Sequence, residues 1–198
     1  FKTREGGVMR LESLIAEIDE EMYRKITDNR TVGEEEAKET AKTVGLSAIK
    51  YGDLSNQAAK DYVFDVDRFT SFERNTGPYI LYTIVRIKSI LAKYTEAGGA
   101  LEGLAIAGAH GDEEKALMLE AAKYNGMMET AFEELAPHKV CAYIYELANA
   151  FNRFYHETKI LAEEDKEVQK SYIALLVLTK RIRRARLRGA GEDVGVGK

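Results

Sequence analysis

The stretch FDVDRFTSFERNTGPYILY, residues 64–82, crowds flat side chains and fixed charges around one break in the chain. A packed core needs the aromatics without the charges, and a solvated loop needs the charges without the aromatics. Surfaces that handle nucleobases and phosphates use both. Just after the break, Tyr79, Tyr82 and Arg86 are spaced three and four residues apart, so on a helix they project together. They stand off the stripe of Ile80, Ile84, Ile87 and Leu91, which reads as the buried face. Two rings beside a guanidinium suit base stacking with a phosphate contact. The alternative is that the tyrosines pack on a neighbouring helix with their hydroxyls at its rim.

A second feature is KRIRRARLR, residues 180–188, where six of nine side chains are basic and none is acidic. Without those six the net charge would fall from −4 to −10, so the positive charge is concentrated at one end. Six cations exceed what the negative end of a helix requires. Phosphate contact through residues such as Arg183 and Arg184 competes with a simply solvated surface. Other chemistry is weakly signalled. His110, His138 and His156 share no metal-ligand spacing with one another or with Cys141, so no metal site is expected. Cys141 lies beside an apolar helix face with no base in sequence range, and reads as a packed thiol. TREGG at 3–7 has glycines and nearby cations but lacks a full phosphate-loop spacing, so by itself it reads as a turn.

The elements that must position these residues are helical. Leu11, Leu14, Ile18, Met22 and Ile26 form one stripe, and Ala37, Ala41, Val44, Ala48 and Tyr51 a second, opened by the glutamates of TVGEEE. DYVFDVDRF alternates Tyr62, Phe64 and Val66 with aspartates, which permits a brief strand or a tight loop. Asn75-Thr76-Gly77-Pro78 then breaks the chain and starts a helix. Residues 96–114, with five glycines, read as a linker or flexible loop. Helices are expected at about 113–126 and 128–135. A further helix starts near Pro137 with Val140, Ile144, Leu147, Phe151 and Phe154 as its apolar face, and a last one covers about 166–188. The tail GAGEDVGVGK is expected to fray.

With 198 residues, 45% hydrophobic and 31% charged, the chain can bury a core as one large or two small domains. No apolar run reaches the roughly 18 residues of a membrane span, and the start lacks the apolar stretch of a secretory signal. A single cysteine excludes an internal disulfide framework and fits a reducing, cytoplasmic location. The absent initiator Met suggests a piece of something larger.

GLSAIKYGDLSNQAAKDYVFDVDRFTSFERNTGPYILYTIVRIKSIL, residues 45–91, resembles the stretch of arginyl-tRNA synthetases that joins the catalytic domain to the anticodon-binding domain. The family pattern there is roughly AIKYxDLSxxxxKDYxFDxDRxxSFExNTGPYLxYxxxRIxSI. ELANAFNRFYHETKIL and ALLVLTKRI resemble the family's later DALR-type helices. The opening FKTREGGVMRLESLI is similar to the class I signature loop Met-Ser-Thr-Arg-x-Gly: Thr3, Arg4 and Gly6 match, and Phe1 and Lys2 stand at the Met and Ser positions. The His-x-Gly-His motif of the nucleotide-binding fold has no counterpart in the chain.

The resemblance implies a mainly α protein. Residues 1–76 would hold the end of the catalytic region and a small α/β stem-contact segment, and residues 77–198 a helical bundle of the anticodon-binding type. It implies tRNA(Arg) as partner, bound through Tyr79 and Tyr82 with Phe64, Asp67, Arg68 and Phe69 in the adjacent loop. It also implies that a full-length, monomeric enzyme uses ATP with Mg to charge tRNA with arginine. The present chain, holding only the signature remnant Lys2, Thr3, Arg4 and Gly6, would bind no cofactor and be inactive alone. The family pattern ends near GLxLLGIxxPxxM, whereas this chain has RARLRGAGEDVGVGK. A helical protein-interaction module, or the appendage of another class I synthetase, are the rival readings.

Overall fold

In the computed structural model, residues 10–29 and 33–187 are described, with side chains at 10–28 and 33–182. Lys2, Thr3, Arg4 and Gly6, and the tail from residue 188, lie outside the described residues. Contacts divide the chain into two compact units, one ending at Leu81 and the other beginning at Tyr82.

In the first unit, α1 (Leu11–Asn29) packs against α2 (Glu34–Leu54). Ile18 and Met22 from α1 meet Ala41, Val44 and Ala48 from α2 in a small core. The alanines and Gly45 let the helices approach closely: a Cβ on Gly45 would stand 2.6 Å from Asp19 Oδ1 and 3.2 Å from Ile18 Cγ2. Glu34, Glu35 and Glu36 occupy the first turn of α2, where the helix dipole favours negative charge.

The stretch 61–65 is not a strand, and no strand occurs among the described residues. The α/β character expected of this segment is therefore absent there; it is helix and loop. Alternation alone cannot make a strand without a partner to take its backbone hydrogen bonds. The loop folds on its own side chains instead. Tyr62 donates its hydroxyl to Asp53 Oδ1 at 2.9 Å, and Phe64 stacks on Phe69 with ring centroids 4.2 Å apart. The Asp65 carboxylate accepts the Arg68 N–H at 3.0 Å and caps the single turn α3 (Val66–Phe69).

The second break behaves as the sequence predicts. Buried Thr76 receives the Tyr79 N–H on its hydroxyl at 3.3 Å and caps α4 (Gly77–Glu96), with Pro78 in the first turn. Gly77 has no room for a side chain, because a Cβ would run into the backbone carbonyl and hydroxyl of Ser47.

The second unit holds most of α4 with α5 (Asp112–Ala122), α6 (Tyr124–Glu133), α7 (Pro137–Glu157), a 3-10 turn (Ile160–Ala162) and α8 (Lys166–Leu187). Ile87 and Leu91 from α4, Leu117 from α5, Leu147, Phe151 and Phe154 from α7, and Ile173, Leu175 and Leu176 from α8 form one core. Five consecutive residues of α8, Tyr172 to Leu176, are buried, so its middle is enclosed by neighbours on several sides.

Residues 97–111 are not a loose linker. Gly98 (φ +90°) and Gly99 close α4: Gly98 N–H donates to the Thr95 carbonyl at 2.9 Å and Gly99 N–H to the Tyr94 carbonyl at 3.0 Å. Leu101 and Leu104 then pack on the core, and the Ala107 N–H donates to the buried Ser171 hydroxyl at 2.9 Å. Glycine content here marks a tight helix end rather than slack.

Candidate nucleic-acid interface

Of the aromatic and cationic residues singled out in the sequence, Tyr82 and Arg86 fall in one place and Phe64, Arg68 and Phe69 in another, each within one unit. In the second unit, α4 places Tyr82 and Arg86 one turn apart. The Arg86 guanidinium carbon lies 4.8 Å from the centroid of the Tyr82 ring and 4.7 Å from that of Tyr155 on α7. Its Nη1 donates to Asn152 Oδ1 at 2.6 Å, and its Nη2 to the Tyr82 hydroxyl at 3.1 Å. The Asn152 amide in turn donates to the buried Thr83 hydroxyl at 3.3 Å. The cation thus ties two tyrosines from different helices to one position. Tyr82 is 41% and Tyr155 37% exposed, so each offers aromatic surface to solvent.

Both ends of the Arg86 fork are occupied by the protein, so its geometry is that of a support for the rings more than of a free phosphate ligand. Asn152 and Tyr155 were not singled out in the sequence. The available signal was Tyr155 itself, an aromatic off the stripe that Leu147, Phe151 and Phe154 define.

In the first unit, Phe69 is 6% exposed. Its ring rests on the bare backbone of Gly52, where a Cβ would collide with it, and Phe64 covers it by stacking. Phe69 therefore serves as the internal prop of the 64–69 loop, not as an open stacking face. Phe64 is half-buried, while Asp67 and Arg68 are exposed. Arg68 and Arg74, with Ser55, Asn56 and Asn75, line a cavity of about 480 Å³. Two guanidiniums and two amides supply donors of the kind phosphodiesters accept. Asn75 is fixed there by the Tyr51 hydroxyl, which donates to its Oδ1 at 2.6 Å.

Tyr79 is half-buried near the start of α4. Arg183 and Arg184 lie within α8, and their side chains fall outside the described ones. Among the described residues no group of His, Cys, Asp and Glu could hold a metal ion. Burial pushes the Cys141 thiol up to about 11, which keeps it protonated and unreactive near neutrality. No described helix is long and apolar enough to cross a membrane.

The arrangement has known counterparts. The profile of the DALR anticodon binding domain matches residues 80–188, and that of the catalytic domain of class I (R) tRNA synthetases matches residues 1–66. The arginine–tRNA ligase of Agathobacter rectalis is 65% identical over 190 residues, which cover 92% of this chain and 32% of that protein. The arginine–tRNA ligase of Alkaliphilus oremlandii is 52% identical over 182 residues, 92% of this chain and 31% of that one. The chain thus spans about a third of the length of these relatives. Two solved structures share the fold. The arginyl-tRNA synthetase of Thermus thermophilus matches with a TM-score of 0.75 at 22% identity, over 90% of this chain and 30% of that one. That of Plasmodium falciparum matches with a TM-score of 0.73 at 24% identity, over 89% and 31%. The chain belongs to the DALR anticodon-binding domain family, in the form carried by the class I arginyl-tRNA synthetases.

Proposed function

We propose that this chain is the tRNA-binding part of an arginine–tRNA ligase and that it holds the anticodon stem-loop of tRNA(Arg). The observation that carries the reading is the Tyr82–Arg86–Tyr155 cluster, two half-open rings held by one cation. Unpaired bases of an anticodon loop stack on such faces at about 1–3 kcal/mol each. Tyr82 and Tyr155 take bases, and Arg86 and Asn152 fix their rings. Tyr79, Phe64, Asp67 and Arg68 contact the tRNA, with Phe69 stacked beneath Phe64 as a prop. Arg68, Arg74 and the basic end of α8, including Arg183 and Arg184, meet phosphates.

Residues 1–76 act as the stem-contact region and residues 77–198 as the anticodon-binding domain. The whole protein, a cytoplasmic monomer, joins arginine to tRNA(Arg) at the expense of ATP with Mg. The region matched by the catalytic-domain profile, residues 1–66, carries Lys2, Thr3, Arg4 and Gly6 as the remnant of its signature loop. The 198-residue chain by itself performs no arginylation.

The test is binding of the chain to unmodified tRNA(Arg), to the same tRNA with its central anticodon base changed, and to a tRNA for another amino acid, at two salt concentrations. The anticodon change is expected to cost more than about 1 kcal/mol, the worth of one stacked base. Equal binding of all three with a steep salt slope would sink the anticodon reading and leave a non-specific phosphate binder.

A further inference from the structure

The start of α5 carries three carboxylates in a row, Asp112, Glu113 and Glu114. A helix N-terminus favours such residues, which accounts for the first two. Glu114 is different, because its side chain is only 2% exposed. Its Oε2 accepts the His110 backbone N–H at 2.6 Å and lies 3.4 Å from His110 Nδ1. Its Oε1 is buried without any hydrogen-bond partner. Capping uses one oxygen and leaves the other unexplained, at a desolvation cost that folded proteins rarely leave standing.

Glu114 lines a cavity of about 420 Å³, together with Asp112, Glu113, Arg153, Glu157 and Tyr172. Four carboxylates face one guanidinium there, and that guanidinium is already engaged: Arg153 Nε lies 3.4 Å from Glu113 Oε2. The Tyr172 hydroxyl is harder to ionise than usual, chiefly through burial and then through the negative charges of Glu114 and Glu163. A negative field, a buried unpaired acceptor and a volume suited to a small ligand occur together.

We propose that this cavity binds a small organic cation, an alkylammonium or guanidinium group, with Glu114 as its carboxylate partner. A metal ion is the poorer occupant. Among the described residues no group of His, Cys, Asp and Glu converges on one point to hold one. An ammonium or guanidinium asks only for acceptors, and the cavity supplies the carboxylates with the hydroxyls of Thr158 and Tyr172. Arg153 and Glu157 leave α7 on a different side from Asn152 and Tyr155, at about 100° per residue. The site is therefore separate from the aromatic cluster, and it does not depend on the tRNA reading.

The experiment is calorimetric titration of the full 198-residue chain with agmatine, a free guanidinium amine, and with N-acetyl-arginine amide, a stand-in for an arginine side chain presented by a protein. Saturable one-to-one binding of at least one probe is expected, weakened at least tenfold by Glu114→Gln. The glutamine keeps an oxygen for the His110 N–H and removes only the charge. Glu157→Gln, at an exposed wall residue, weakens binding severalfold and serves as the second variant if Glu114→Gln unfolds. The tighter-binding probe tells a free amine from a presented side chain. No saturation by either probe, or unchanged affinity in folded Glu114→Gln, overturns the proposal.

Discussion

The guanidinium of Arg86 on α4 lies 4.7 Å from the ring centroid of Tyr155 on α7, while its Nη1 is held by Asn152 at 2.6 Å. The cation is committed to the protein before any ligand arrives. A phosphate ligand and a ring-positioning residue then give different signatures on substitution. Losing a phosphate contact lowers the salt slope of RNA binding by about one, whereas losing a support does not. Arg86→Ala is expected to weaken tRNA(Arg) binding about tenfold or more with the slope of log K against log salt unchanged, because Tyr82 and Tyr155 lose their shared anchor. Arg86→Lys falls between, since an ammonium keeps the charge but not the fork. A slope that drops by one unit in Arg86→Ala would make Arg86 a phosphate ligand instead.

The 64–69 loop gives a second test, one of stability rather than binding. Phe69 fills the space that the missing side chain of Gly52 leaves open. Gly52→Ala drives a methyl into that ring and is expected to cost about 1–3 kcal/mol, the usual penalty of overpacking. Phe69→Ala is expected to cost about 3–5 kcal/mol. Phe64 is half-buried, so Phe64→Ala costs less in stability than Phe69→Ala. Denaturant unfolding followed by a probe in the first unit checks all three. If Phe64→Ala were the more destabilising, the assignment of Phe69 as the prop would fail.

The parts of this structure that were legible in the sequence are those set by local rules. The stripes with Ile18 and Met22, and with Ala37, Ala41, Val44 and Ala48, are buried as the helical period requires, and Thr76-Gly77-Pro78 starts a helix where punctuation put one. The misses share a cause. Asn152 and Tyr155 meet Arg86 only through tertiary packing, Asn152 standing 66 positions further along the chain, and no local pattern encodes a partner that far away. The glycines of 97–111 suggest slack by composition, yet Leu101 and Leu104 anchor that loop through core contacts beyond its own sequence. In the 61–66 stretch, for which the sequence permits a brief strand or a tight loop, the loop forms because the period of two has no neighbouring strand among the described residues to pair with. Phe69 reads as an open aromatic because nothing in its own segment announces Gly52 beneath it.

Leu135 gives a prediction with no bearing on binding. It ends α6 at φ +48°, a left-handed conformation that costs a side-chain-bearing residue about 1–2 kcal/mol. Its N–H donates to the Phe132 carbonyl, and the next N–H, of Ala136, to the Ala131 carbonyl at 2.9 Å, the bonding of a helix end that usually has glycine here. The side chain is 82% exposed, so it recovers little of the cost by burial. Leu135→Gly is expected to stabilise the chain by about 0.5–1 kcal/mol, partly offset by the looser unfolded chain. Thermal or denaturant midpoints measure it. A fall in stability would mean that the exposed leucine makes contacts that outweigh its strain.

The core of the second unit sets how the protein responds to alkali. Tyr143 is buried, and burial, followed by Glu120 and Tyr124, pushes its hydroxyl up to about 12. In the unfolded chain the same group ionises near its ordinary value of about 10. Between those two values the unfolded state holds fewer protons than the folded one, so stability falls as pH rises through that window. Cys141, pushed up to about 11 by burial, acts in the same direction one unit lower. Only well below about pH 8.5, the ordinary value of a free thiol, are both groups protonated in both states and without effect on the pH dependence. Tyr143→Phe removes the ionisable oxygen together with its 3.2 Å hydrogen bond to the Glu120 carbonyl. It is therefore expected to lower stability at pH 7 by about 1 kcal/mol and to flatten the decline above pH 10. Denaturant midpoints of both proteins from pH 7 to 11.5 test this. Parallel curves for the two across the alkaline range would show that Tyr143 ionises as readily folded as unfolded, and would refute its placement in the core.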